Sequence, residues 1–185
     1  QKYHGAVACA LGWACWKTYV GRPETNWARC CAMQQLGNGL AAAKLHEDAL
    51  PVQEAVLSME RRLGGSEGDL LVMQSNLAAS YAYLGRFEQA ASAFRCVYFG
   101  FLKVHGEEHE ETLQAANSHA WGLLQVERSE EAKALLRKTM PVARRVLEDN
   151  HDLTLRMQWN YARALFFNPD ATLDDLREAV TTLED

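Results

Sequence analysis

The densest group of ligating side chains is the run Glu107, Glu108, His109, Glu110, Glu111, four carboxylates around one imidazole. Such donors hold divalent cations, so one reading of the run is a metal site. The other follows from position. Glu67, Asp69, Asp149 and Asp152 fall at the matching place in neighbouring segments of the chain, ahead of a helix whose start favours negative charge. Arg61 with Arg62, Lys103, and Arg144 with Arg145 stand at the opposite helix ends and complement the dipole in the same way. His109 and His151 share a repeat position, which assigns them to a turn. The run therefore reads as architecture, and neither a metal nor a cofactor is expected. Five cysteines, Cys9, Cys15, Cys30, Cys31 and Cys96, lack C-x-x-C spacing and fit free thiols better than a disulfide framework. None stands in a nucleophile motif, the six histidines are scattered, and no glycine-rich loop follows a strand to cradle phosphate. Catalysis would need a set assembled from distant segments, so a non-enzymatic role is expected.

Composition narrows the partners. Apolar residues make up 48% of the chain and charged residues 23%, which is ordinary globular usage. A formal charge of -5 argues against a binder of the phosphate backbone, so no nucleic acid is expected. No apolar run approaches the roughly 18 residues of a membrane span, and no membrane association is expected. The apolar stretch 6–16 contains two Trp and two Cys and lacks a charged leader and a cleavage site, so it is not read as a secretory signal. The expected location is the cytoplasm.

The elements that carry these residues are set by a repeat. Shifting the segment 75–113 by 42 places lays Ala78, Arg86, Glu88, Ala90, His109, Thr112 and Leu113 onto Ala120, Arg128, Glu130, Ala132, His151, Thr154 and Leu155. A period near 42 in a helix-forming sequence predicts an all-α fold built as a stacked helical array. Helices are expected at about 25–43, 47–63, 69–84, 87–105, 108–126, 129–147, 152–167 and from 173 onward. An earlier helix over 6–20 carries an apolar stripe of Trp13, Trp16 and Val20 and ends at Gly21-Arg22-Pro23. Residues 1–24 are read as a capping helix, with a recruitment helix as the alternative. Residues 25–185 form the array, in repeats of about 25–66, 67–107, 108–149 and 150–185. The last repeat is incomplete, which suggests a fragment of a longer polypeptide. Gly85 suits a left-handed helix end, Ser129 reads as an N-cap, Thr172 with Asp175 as a capping pattern, Pro51 lies in the first turn or so of its helix, and Pro141 should kink its own.

At GRFEQA followed by Phe94, and at HEETLQAANSHA, the chain resembles tetratricopeptide repeats of the kinesin light chain type, whose period is near 42 residues. The resemblance covers 25–185 and rests on small residues at Gly37, Ala78, Ala120 and Ala162 in the first helix of each pair, and at Ala49, Ala90 and Ala132 in the second. Trp121 and Glu127 depart from it, replacing a small residue and a glycine in the third repeat. The resemblance implies a right-handed α-solenoid of stacked antiparallel helix pairs, a TPR-like superhelix, and with it a protein-interaction scaffold whose first helices line a groove for an extended peptide. Carried onto this chain, the groove position holds Gln35, Asn76, Ser118 and Asn160, with Asn38, Tyr83, Asn117, Trp121, Arg156, Trp159 and Arg163 beside it. Two arginines and two tryptophans would suit a protein or peptide partner bearing an acid and an aromatic or apolar anchor. These polars also read as solvated surface, and Trp121 or Trp159 as packing between repeats. A structural spacer, or self-association through the open C-terminal repeat, is the alternative function.

Overall fold

The computed structural model describes residues 2–184, and every regular element among them is an α-helix. In chain order these are α1 (Lys2–Tyr19), α2 (Trp27–Ala42), α3 (His46–Leu63), α4 (Glu67–Tyr83), α5 (Phe87–His105), α6 (Glu110–Gln125), α7 (Ser129–Leu147), α8 (Asp152–Phe166) and α9 (Leu173–Glu184). The chain divides into two compact units, Gln1–Ala90 and Ala91–Asp185.

In the first unit α1 packs on α2, α2 on α3 and α3 on α4. Close approach of α1 and α2 is made by glycine. A Cβ at Gly39 would lie 2.5 Å from the Ala8 carbonyl oxygen, and one at Gly12 would lie 2.8 Å from the Leu36 Cα. The buried stripe of α1 is therefore Gly5, Gly12 and the half-buried Trp16. Trp13 and Val20, expected on that stripe, are each 44% exposed. At Gly5 and Gly12 backbone contact leaves no room for a side chain, whereas the Trp16 indole packs one turn further on, and an apolar count along the sequence does not register the difference. Leu36, Leu40 and Ala49 form the core beside Trp16, and Val56, Leu57 and Met73 form the next layer.

In the second unit α6 packs on α7, α7 on α8, α8 on α9 and α6 directly on α8. One cluster from Leu113 through Ala120, Ala132, Leu136, Met157, Tyr161 and Leu165 to Ala179 is its core. The small residues of the repeat lie inside it: Ala120 and Ala132 are fully buried and Ala162 is 5% exposed. Across the two units the same burial holds for Gly37, Ala49, Ala78 and Ala90.

The helix ends carry the local chemistry. Thr172 and Asp175 form a reciprocal capping box at α9: the Asp175 amide donates to Thr172 Oγ1 at 3.2 Å and the Thr172 amide donates to Asp175 Oδ2 at 3.0 Å. His109 and His151 cap α6 and α8 through Nδ1. Ser129 is not the cap of α7. Arg128 occupies that place without a side-chain cap bond, and Ser129 is the first helical residue, its hydroxyl donating to the Phe167 carbonyl at 3.5 Å. Pro51 lies past the first turn of α3, and α7 continues through Pro141. Gly85 has the left-handed φ of 73° that closes α4, while Lys44 and Glu127 adopt φ of 64° and 59° at the same point of their own turns. Glu148, aligned with Gly106, has φ 73° and ψ 159°.

Candidate functional site

The asparagines assigned to a groove are largely committed to each other. Asn160 is 5% and Asn117 7% exposed, and Asn160 Nδ2 donates to Asn117 Oδ1 at 2.9 Å, joining α8 to α6. In the other unit Asn76 Nδ2 donates to Asn38 Oδ1 at 3.3 Å, joining α4 to α2. This second pair borders a gap of about 10 Å³ with Gln34, Gly37, Gln53, Val56 and Met73, room for about one water. Ser118 spends its hydroxyl on the Gln114 carbonyl of its own helix, and Gln35 is exposed. Tyr83 is 73% exposed and stacks on His46 at 4.3 Å. Trp121 is half-buried, edge-on to Phe94 at 6.4 Å. Arg156 is exposed and paired to Asp152 at 2.6 Å along α8.

Two of the expected residues, Trp159 and Arg163, come together at a different kind of surface. They line a groove of about 620 Å³ between α8 and α9 with Ala162, Phe166, Phe167, Leu176, Ala179 and Val180. Trp159 is 58%, Phe166 63%, Phe167 60% and Val180 57% exposed. Three aromatic rings clustered in the open mark an interaction surface, since isolated exposed hydrophobics need no explanation but contiguous ones do. The rings are ordered by each other: Phe166 meets Phe167 edge-on at 5.1 Å, and the Arg163 guanidinium lies 5.9 Å from the Phe167 centroid.

The wall that α9 supplies is fixed by polar clips. Lys133 Nζ meets Asp175 Oδ1 at 2.6 Å, and hydrogen bonds from Lys133 and then Thr172 hold the Asp175 carboxyl well below the usual carboxylate range. Tyr161 donates its hydroxyl to Glu178 Oε1 at 2.6 Å, and burial followed by that carboxylate pushes the phenol up to about 12. Asn168, before α9, donates to Glu130 of α7.

The tetratricopeptide repeat family profile matches residues 29–99 and 69–144, together more than half of the chain. The chain belongs to the tetratricopeptide repeat family. Among solved structures, a kinesin light chain-like protein of Podosopora anserina with nearly identical TPR-like repeats is similar over 96% of this chain and 83% of its own, at 18% identity and a TM-score of 0.79. A substituted form of that Podosopora anserina protein is similar over 97% and 83%, at 20% identity and a TM-score of 0.77. BtubC (BKLC) from P. vanneervenii is similar over 97% and 80%, at 17% identity and a TM-score of 0.62. Among functionally curated proteins none matches. The fold is thus the TPR-like solenoid of stacked helix pairs.

The repeat register explains how the groove arises. In this tetratricopeptide array Trp159, Arg163 and Phe166 stand 42 places after Asn117, Trp121 and Leu124. On the earlier repeat α8 packs on both α6 and α7, with Asn117 of α6 bonded to Asn160 and Ser129 of α7 to the Phe167 carbonyl at the end of α8. The next face along offers aromatic rings in place of an amide and a smaller aliphatic side chain. Phe166, Phe167, Leu176 and Val180 escaped the sequence reading, which treated the first two as a helix end. The available signal was the adjacent pair of phenylalanines where the preceding repeat has Leu124 and Gln125.

Proposed function

We propose that this scaffold captures an amphipathic helical segment of a partner protein on the α8–α9 face, with an acidic residue of the segment meeting Arg163. Tetratricopeptide repeats as a family serve protein–protein interaction, and no helix among the described residues is long and apolar enough to cross a membrane. The observation that carries the finer reading is the contiguous exposure of Trp159, Phe166, Phe167 and Val180 around one groove. Its preceding counterpart in the same chain is covered by a helix, which supports a helical ligand over an extended one. Asn160 and Asn117, each occupied by the other, add nothing to an extended peptide's backbone. We place the protein in the cytoplasm, where its free thiols would stay reduced, and read it as a binder rather than a catalyst.

Peptide-library selection against the whole chain, followed by fluorescence anisotropy, tests this. Enriched sequences should carry apolar residues at i, i+3 or i+4 and i+7 with a carboxylate beside them. Trp159→Ala should weaken them by about 2 kcal/mol, roughly thirtyfold. Selection of extended, non-helical sequences, or binding indifferent to Trp159→Ala, would overturn the proposal. Self-association is separated by light scattering: a mass that doubles with concentration and reverts in Trp159→Ala would assign the face to a second copy.

A further inference from the structure

Glu111 lies beside a stacked pair of imidazoles at the turn from α5 to α6. His105 is the last residue of α5, His109 is the N-cap of α6 and Glu111 is in the first turn of α6. His105 Nε2 is 3.1 Å and His109 Nδ1 3.8 Å from Glu111 Oε2, and one ligating atom from each residue falls within 4.8 Å of the others. The cluster is exposed, so an ion has open access to it. His105 is held from below by the buried ring of Phe101 at 5.7 Å, and stacks on His109 at 4.3 Å with 21° between planes.

Helix capping accounts for only one of these three residues. At the following junction His151 caps α8 in the same way, with the Leu153 amide donating to Nδ1 at 3.3 Å, as the Glu111 amide donates to His109 at 3.3 Å. There the places of His105 and Glu111 are taken by Leu147 and Leu153. A histidine cap therefore needs neither a second imidazole nor a carboxylate beside it. Glu107, Glu108 and Glu110 add negative charge around the turn, although Glu108 is paired with Arg145 at 2.7 Å.

We propose that His105, His109 and Glu111 form a binding site for a divalent transition ion of the Zn²⁺ class at the α5–α6 turn. Two imidazoles and one carboxylate are a tetrahedral zinc donor set that leaves the fourth position to water. Tetrahedral bonds of about 2.0–2.1 Å place ligating atoms roughly 3.3 Å apart, so the Glu111–His105 spacing already suits the ion. The His109 ring has to turn out of the stack, because lone pairs lying in two nearly parallel planes cannot converge on one ion. That ring is at the surface, so the change is one of side-chain torsions, and ligation through Nδ1 replaces the hydrogen bond it accepts from the Glu111 amide. Bound metal ties the end of α5 to the start of α6 across Gly106.

The test is titration of the whole chain, kept reduced, with ZnCl₂ by calorimetry. One ion per chain should bind, and His105→Leu, Glu111→Leu and His109→Asn should each weaken it at least tenfold. The leucines reproduce the next junction, and asparagine keeps a capping oxygen at residue 109, so folding is preserved. Imidazole NMR signals of His105 and His109 should move on binding while those of His151 stay. No uptake by the unaltered chain would overturn the proposal. So would uptake that survives in the variants, because the ion would then sit on cysteines such as the exposed Cys96.

Discussion

Replacing Asn160 by alanine tests whether the buried asparagine pair is a structural clamp. Asn160 and Asn117 are 5% and 7% exposed and share one hydrogen bond of 2.9 Å. In Asn160→Ala the Asn117 carbonyl oxygen stays in a desolvated interior without that donor. A buried acceptor left in this state costs about 1–3 kcal/mol. For a chain of this size each kcal/mol moves the melting midpoint by roughly 2–4 °C, so a fall of about 5 °C is expected. Circular dichroism melts of Asn160→Ala, Asn117→Ala and the double variant measure it. The second substitution should cost less than in the native background, because the partner it would orphan is already gone, with a coupling of about 1 kcal/mol. A double-mutant cycle that is additive, or an Asn160→Ala protein that melts with the native one, would refute the clamp and return Asn160 to a peptide-binding role.

Glu148→Gly should raise the melting midpoint. Its φ of 73° with ψ of 159° lies in a region kept almost entirely for glycine, where other residues are strained by about 1–3 kcal/mol, against about 0.5–1 kcal/mol of extra chain entropy for glycine. A gain of about 1 kcal/mol is expected in urea melts, and an unchanged or lower midpoint counts against the strain. Gly39→Ala should loosen α1, because the new methyl would meet the Ala8 backbone. Hydrogen exchange over α1 should accelerate, while Gly21→Ala, with nothing within 4 Å, changes nothing. His119 is buried against Tyr98, and burial, then the charges of Arg95 and Arg128, push its pKa down to about 4. The unfolded chain takes up that proton near pH 6.5, so the folded state is favoured fully above about pH 6.5 and loses stability as pH falls toward 4, by at most about 1.4 kcal/mol per pH unit. Urea midpoints at pH 7 and pH 5 should differ less in His119→Phe than in the native protein.

The helices were legible because their ends and their spacing are written in the same residues. Ala78, Ala120 and Ala162 repeat every 42 places since a helix crossing tolerates nothing larger, and Thr172 with Asp175 announces α9 because orphan amides need oxygen acceptors. Side-chain partnership between helices was less legible. Asn76 and Asn160 share a repeat position, yet their acceptors lie 38 and 43 residues earlier, at Asn38 and Asn117. Period alone does not tell which residue of the preceding helix a side chain will reach. The α1 contact was placed correctly at Trp16 and missed at Gly5 and Gly12, because glycine contributes by absence and an apolar stripe counts only what is present. In the groove, Trp159 and Arg163 stood out by type. Phe166 and Phe167 did not, since a helix end also explains them until their exposure is known.

Lys44 and Glu127 hold a backbone conformation that their side chains disfavour, at a point where Gly85 serves the third equivalent turn. Their neighbours, rather than they themselves, dictate the bend. Lysine, glycine and glutamate thus fill one kind of corner within a single chain, so charge and shape at the tips of the helix pairs differ from repeat to repeat above a common stack.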